Sequence, residues 1–161
     1  MKQIVSWRQQ GIHLPIAVNI SPRNLLQPGF SDLVLSLLQR YEVSGQSLEL
    51  EVTEGALMTD IARTIVELSR LADAKITISI DDFGTGYSSL QYLHQLPISL
   101  IKIDQSFVRR LPDDKGAVHI VEAAVTLAHK MGMQTIAEGV EEQSAYTVSY
   151  THLTLPTKRI V

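Results

Sequence analysis

The sequence contains no cysteine. That single absence excludes disulfide staples, thiolate metal sites and cysteine nucleophiles, and it is compatible with a reducing compartment. Long apolar runs are also missing: none approaches the roughly 18 residues needed to cross a bilayer. No secretory signal pattern opens the chain, so the expectation is a soluble, cytoplasmic location. Basic charge is scarce as well. Fourteen Lys and Arg stand against seventeen Asp and Glu, a net charge of −3, and a duplex DNA or RNA partner is not expected without a phosphate-neutralising field. Aromatic residues make up 6% of the chain, with a single Trp. The five histidines include no i, i+4 pair and no Glu-flanked pair, so His119 and His129 read as ordinary helix residues and not as zinc ligands. Trp7 and Phe107 read as core or interface anchors.

What is present is an ordinary globular ration of apolar residues, 45% of a 161-residue chain, enough for one domain with a real core. Apolar alternation marks five strands, at Ile16 to Ile20, Leu48 to Val52, Ile76 to Ile80, Leu100 to Ile103 and Thr135 to Ala137. Helical periodicity fills the gaps. One helix runs through Phe30 to Leu38, with Ser31 or Asp32 placed to cap it. A second follows Thr59-Asp60 through Ile61, Ile65, Leu68 and Leu71. A short one follows Ser88-Ser89, and a fourth spans about Gly116 to Met131, with Val118, Val121, Val125 and Leu127 inward. The order βαβαβαβαβ argues for parallel pairing.

Each strand closes on a polar or charged side chain: Asn19, Glu51, the pair Asp81 and Asp82, Lys102, and Glu138. In a parallel sheet those ends share one rim. Leu48, Leu50 and Val52 alternate with Glu49, Glu51 and Thr53, and Ile76, Ile78 and Ile80 alternate with Thr77, Ser79 and Asp81. One face of the sheet is therefore apolar and the other polar. Helices on both sides of an open parallel sheet would demand apolar residues on both faces. The reading is an α/β fold, an incomplete TIM-like barrel of about five parallel strands whose polar residues gather at the C-terminal rim, with an open doubly wound sheet as the alternative. A full barrel needs about 250 residues. The edge strands at Ile16 to Ile20 and Thr135 to Ala137 are then expected to be open, leaving the isolated chain aggregation-prone or in need of a partner.

Several carboxylates and one amide oxygen on a rim form an oxygen-only site that suits Mg²⁺ or Mn²⁺. Adjacent Asp81 and Asp82 matter most, because a carboxylate bridging two ions is the arrangement that supports phosphodiester cleavage. Lys102 either neutralises phosphate charge or positions the attacking water; the plainer alternative is an ion pair to Asp81 or Asp104. The run Asp82-Phe83-Gly84-Thr85-Gly86-Tyr87-Ser88-Ser89-Leu90 places two glycines directly after a strand, where backbone can approach a ligand. It lacks the third glycine of a dinucleotide fingerprint and the Lys of a P-loop.

Five segments together carry a resemblance: Asn19-Ile20-Ser21-Pro22, Glu51-Val52-Thr53-Glu54, Asp81 through Leu90, Ile101-Lys102-Ile103-Asp104, and Ile136 through Glu141. In this order they resemble the EAL domain, the bacterial cyclic di-GMP phosphodiesterase, over about Lys2 to Ser144. The resemblance implies a TIM-like barrel, two Mg²⁺ or Mn²⁺ ions, and hydrolysis of cyclic di-GMP to linear pGpG. It implies Asn19, Glu51 and Asp81 as ligands of a first ion, with Asp81 bridging and Asp82 on the second. Glu138 becomes a second-ion ligand or base, Lys102 touches the nucleophilic water, and Glu54 fixes the substrate-proximal loop Phe83, Gly84, Thr85 and Gly86. It further implies a homodimer in the intact parent, linked to that loop, an upstream sensor or GGDEF-type domain, and a membrane anchor only through regions outside this chain.

The family's Glu-Ala-Leu strand lies well upstream of the Asn19 strand, and eighteen residues precede Asn19 here. The family continues downstream into a strand bearing Gln-Gly, whereas this chain runs into a Thr-rich segment ending near Pro156. The expectations are a partial domain at 1–144, a tail at 145–161 of non-native origin, and little or no activity from the 161 residues alone. Two other classes are weighed. A degenerate member would bind cyclic di-GMP or a protein partner without hydrolysis. A phospho-accepting receiver domain also uses paired aspartates, Mg²⁺ and a lysine, but its acidic pair closes the first strand, and here Asp81 and Asp82 close the third.

Overall fold

The computed structural model describes residues 1–85, 90–111 and 113–140. Gly86, Ser88, Ser89 and the segment 145–161, all singled out above, lie outside the described residues. In chain order the elements are α1 (Lys2–Gln9), β1 (Ile16–Asn19), α2 (Pro22–Leu25), α3 (Phe30–Arg40), a 3₁₀ turn (Gly45–Ser47), β2 (Leu48–Thr53), α4 (Glu54–Met58) and α5 (Ile61–Asp73). There follow β3 (Thr77–Phe83), α6 (Leu90–Leu93), β4 (Leu100–Ile103), α7 (Gln105–Val108), α8 (Lys115–Lys130) and β5 (Gln134–Ala137). All five expected strands are present, each within a few residues of its expected bounds.

The five strands form one sheet in the order β1-β2-β3-β4-β5, every neighbouring pair parallel. This order decides between the two architectures. A doubly wound sheet reverses direction at a switch point, so that helices cover both faces. Here each crossover advances one strand the same way, and right-handed connections then place the helices on one face. The other face bounds a cavity of about 530 Å³, lined by Ala17 of β1, Glu49 and Glu51 of β2, Lys102 of β4, and Ile136 and Glu138 at β5. Residues of both edge strands line the same cavity, so the sheet curls as a barrel wall does.

On the helix side, Leu50, Val52, Ile78, Ile80, Ile101 and Ile103 are all buried. They meet Val34 and Leu38 of α3, Leu68 and Leu71 of α5, and Val121, Val125 and Ala128 of α8 in one core. Val118 and Leu127 pack only at its margin. Fully burying one such side chain contributes about 1.5–3 kcal/mol. The edge at β1 is open as expected: Ile12, Leu14 and Val18 are exposed. No helix among the described residues is long and apolar enough to cross a membrane.

One expected cap is corrected. The N-cap of α3 is Gly29, with no side-chain cap. Asp32 points instead to Arg70 of α5, and the buried Glu67 carboxylate accepts from the Ser31 N–H at 3.0 Å. A carboxylate from the neighbouring helix thus does the work that the sequence assigned locally. Trp7 is half-buried on α1, and Phe107 packs against the core.

The chain enters β2 through a close approach. A Cβ on Gly45 would lie 2.0 Å from the Ala74 carbonyl oxygen and 3.1 Å from the Ile76 nitrogen, where α5 hands over to β3. Gly45→Ala is therefore expected to destabilise the fold by about 1–3 kcal/mol in urea unfolding, the scale of an overpacked site. Gly55→Ala, in α4 with nothing within 4 Å, is expected to be neutral or mildly stabilising on helix propensity.

Candidate metal centre

Consecutive residues of a strand point to opposite faces, so adjacent carboxylates cannot ordinarily share a site. Asp81 and Asp82 do so because β3 is irregular at that point. Ile80 pairs with Ile101 and Phe83 with Ile103, three steps on β3 against two on β4. The extra residue is a bulge, and Asp82 takes φ +54 within it. Ile80 and Phe83 both stay buried, and Asp81 and Asp82 are left together at the rim. Glu138 joins them from just beyond β5, held there by its backbone N–H donating to the Ile103 carbonyl at 3.2 Å. One carboxylate oxygen from each of Asp81, Asp82 and Glu138 lies within 4.8 Å of the others.

Lys102 stands at the centre of the same face. Its Nζ lies 2.7 Å from Glu51 Oε1, 2.6 Å from Glu138 Oε1 and 3.5 Å from Asp81 Oδ1. Of the two partners expected in the plain alternative, Asp81 does pair with Lys102, but Glu51 and Glu138 hold it closer and Asp104 hydrogen-bonds Asp82 and Ser106 instead. Burial by itself would push the ammonium down. Hydrogen bonds to Glu138 and Glu51 and the Asp81 charge outweigh it and hold Lys102 above its ordinary range.

One ammonium does not balance Glu51, Asp81, Asp82 and Glu138. The surplus is legible at Asp82, whose carboxyl is raised first by burial and then by the Asp81 and Asp104 charges. Asp104 is lowered, chiefly by its hydrogen bond with Ser106, and it also hydrogen-bonds Asp82. A carboxylate-only donor set with surplus negative charge fits a hard divalent cation such as Mg²⁺ or Mn²⁺.

Of the residues picked from the sequence, Glu51, Asp81, Asp82, Lys102 and Glu138 converge. Asn19 is in register beside Glu51 at the end of β1 and remains exposed. Glu54 is buried at the head of α4, which packs on both β2 and β3. Phe83 is buried on the helix side, and Gly84 and Thr85 are exposed beyond it. The Asp82 carbonyl closes that turn by accepting from the Thr85 hydroxyl at 2.8 Å. Two residues were missed. Asp104 faces Asp82, which no spacing announces. Glu49, 9% exposed, lines the cavity below Glu51; strand parity placed it on this face without marking it as part of the site.

The family model of the EAL domain matches residues 1–149. The cyclic di-GMP phosphodiesterase NbdA of Pseudomonas aeruginosa is 43% identical over 128 residues, covering 80% of this chain and 16% of that protein. The bifunctional diguanylate cyclase/cyclic di-GMP phosphodiesterase MucR of the same organism is 43% identical over 129 residues, covering 80% of this chain and 19% of that protein. The solved PaMucR phosphodiesterase in its c-di-GMP complex superposes with a TM-score of 0.87 at 38% identity, covering 94% of this chain and 62% of that one. The chain thus spans less than a fifth of either curated relative.

Removing the lysine has a signed pH consequence. Lys102 is raised above its ordinary value, so its contribution is complete below the unfolded pKa of about 10.4 and is lost only as pH rises through the folded one. Lys102→Ala is expected to lower metal-free stability by about 3 kcal/mol at neutral pH, the scale of breaking a buried pair. The deficit should hold up to about pH 10 and shrink above it, where the unfolded chain's lysine begins to lose its proton. Urea unfolding between pH 6 and 11 measures it; a deficit that does not change between pH 8 and 11 would mean that charge is not its cause.

Proposed function

This chain belongs to the EAL domain family, and from that premise we propose that its acidic rim serves the metal-dependent hydrolysis of cyclic di-GMP to linear pGpG. The observation that carries the proposal is the convergence of Asp81, Asp82 and Glu138 within 4.8 Å at the C-terminal ends of parallel strands, where barrel enzymes place their chemistry. The names of NbdA and MucR, and the c-di-GMP complex of the PaMucR structure, support the substrate.

In this reading Asn19, Glu51 and Asp81 would hold one ion and Asp81 and Asp82 another, with Glu138 beside them as the base. Bound Mg²⁺ or Mn²⁺ would supply positive charge to the phosphodiester and acidify water. The chain's own residues do the rest. Lys102, fixed by three carboxylates, presents an ammonium that screens phosphate charge and orients the incoming water. Glu138 accepts the proton that water gives up as its oxygen bonds to phosphorus. The P–O3′ bond breaks, the 3′ oxygen takes up the proton that Glu138 accepted, and the product keeps a 5′ phosphate. Gly84 and Thr85 border the substrate, and Glu54 anchors the base of their loop. A homodimer communicating through that loop, and a GGDEF-type or sensor domain elsewhere in the protein, complete the proposal. The relatives' greater length and MucR's bifunctional name support the added domain.

The protein containing this chain is expected to convert cyclic di-GMP to pGpG with Mg²⁺ or Mn²⁺ present, to stop on EDTA addition, and to lose roughly 10²–10³-fold or more in kcat on Asp81→Asn. Chromatography of the nucleotides reads each of these, and hydrolysis that survives both treatments would refute the proposal. The 161 residues alone, spanning 62% of the PaMucR chain, are expected to turn over no faster than their Asp81→Ala variant, because an open wall does not hold a site to within ~0.5 Å.

A further inference from the structure

The one-turn helix α7 has no part in the chemistry above, yet it meets both loops that carry the acidic cluster. Gly84 sits directly on the Phe107 ring: a Cβ there would lie 3.0 Å from Phe107 Cε2 and 3.6 Å from Cδ2 and Cζ. Gly139, the residue after Glu138, sits as closely on Gln105, where a Cβ would be 2.8 Å from Gln105 Cβ. Both glycines have positive φ, +100 and +68, so each loop turns sharply at its point of contact. The turn itself is firmly rooted. Val108 is fully buried, the Phe107 side chain packs against the core, and the Asp104 carboxylate caps the turn by accepting from the Ser106 N–H at 2.9 Å.

We propose that α7 is a positioning wedge for the metal cluster: the Phe107 ring sets the Asp82–Gly84 loop, and Gln105 sets the Glu138–Gly139 loop. The inference rests on the metal-dependent reading of the site. α7 follows β4 with only Asp104 between them, so one continuous piece of chain presents Lys102 to three carboxylates and two further side chains to the backbones that carry Asp82 and Glu138. Phe107 has no ligand atom to offer, and Gln105, which borders the cavity beside Glu138 and Gly139, is packed against the Gly139 backbone. Their effect is on where the ligands stand, and outer-shell partners of that kind change metal affinity by about 10–100-fold.

The test is Mn²⁺ titration of the protein containing this chain, with free Mn²⁺ read by electron paramagnetic resonance and fold by circular dichroism and thermal unfolding. Phe107→Ala is expected to weaken Mn²⁺ binding by about 10–100-fold, and Phe107→Leu, which keeps apolar bulk under Gly84, to recover most of it. Gly84→Ala approaches the same contact from the exposed side and carries the test where Phe107→Ala does not fold. The double variant Gly84→Ala/Phe107→Leu is expected to bind Mn²⁺ more tightly than Gly84→Ala alone, because the shorter side chain admits the new Cβ; two unrelated losses would add. Folded variants with unchanged Mn²⁺ affinity, or losses that simply add, overturn the wedge and leave the metal reading standing. An unsubstituted chain that binds Mn²⁺ no better than Asp82→Ala overturns the metal reading, and the wedge with it.

Discussion

Everything at the rim depends on one extra residue in β3. A regular strand would send Asp82 to the helix side, into a core occupied by Ile80, Phe83 and Val108, where an unpaired carboxylate costs several kcal/mol. The bulge removes that conflict by shifting the register between Ile80 and Phe83. It keeps both apolar neighbours in the core and frees two consecutive acids for the opposite face. The cost is a non-glycine residue at positive φ, on the order of 1 kcal/mol and least for Asn and Asp. The hydrogen bond from the Thr85 hydroxyl to the Asp82 carbonyl secures that conformation.

Curvature does the remaining work. Five parallel strands in sequential order leave one face without helices, and on that face Glu49, Glu51 and Lys102 line one cavity together. The charges are arranged so that Lys102 touches three acids, one on β2, one on β3 and one just beyond β5. Lys102 therefore ties β4 to β2, with which β4 shares no backbone ladder, and adds a side-chain link to its ladder neighbours β3 and β5. The exposed Ile12, Leu14 and Val18 at β1 mark where this wall stops within the described residues.

The sequence was most legible where a pattern repeats. Strand parity over Leu48 to Thr53 and Thr77 to Asp81 located both faces of the wall, and aligning the strand ends named five of the residues that converge. α3, α5 and α8 run for eleven, thirteen and sixteen residues, long enough for a period of 3.6 to be counted. α2, α4 and α7 do not exceed five residues, so periodicity has nothing to count, and α7 was read only as a lone Phe. The Gly29 cap failed for a different reason. Ser31 and Asp32 are good capping residues, but Glu67 and Arg70 of the packed neighbour claim them, an outcome that only tertiary contact decides.

The bulge is hidden differently, behind two readings of the same residues. Two adjacent aspartates at a strand end suggest a bridging site by their chemistry, but alternation alone would separate them, so the chemical and the geometric readings of Asp81 and Asp82 conflict until the register is known. Phe83 resolves the conflict in retrospect. An aromatic residue directly after two acids needs burial, and Ile80 before them needs it on the same face. Two apolar residues three positions apart can share one face of a strand only if one residue between them is extra. The spacing Ile80-x-x-Phe83, set against the two-residue period of Ile76, Ile78 and Ile80, therefore carries the bulge in the sequence itself.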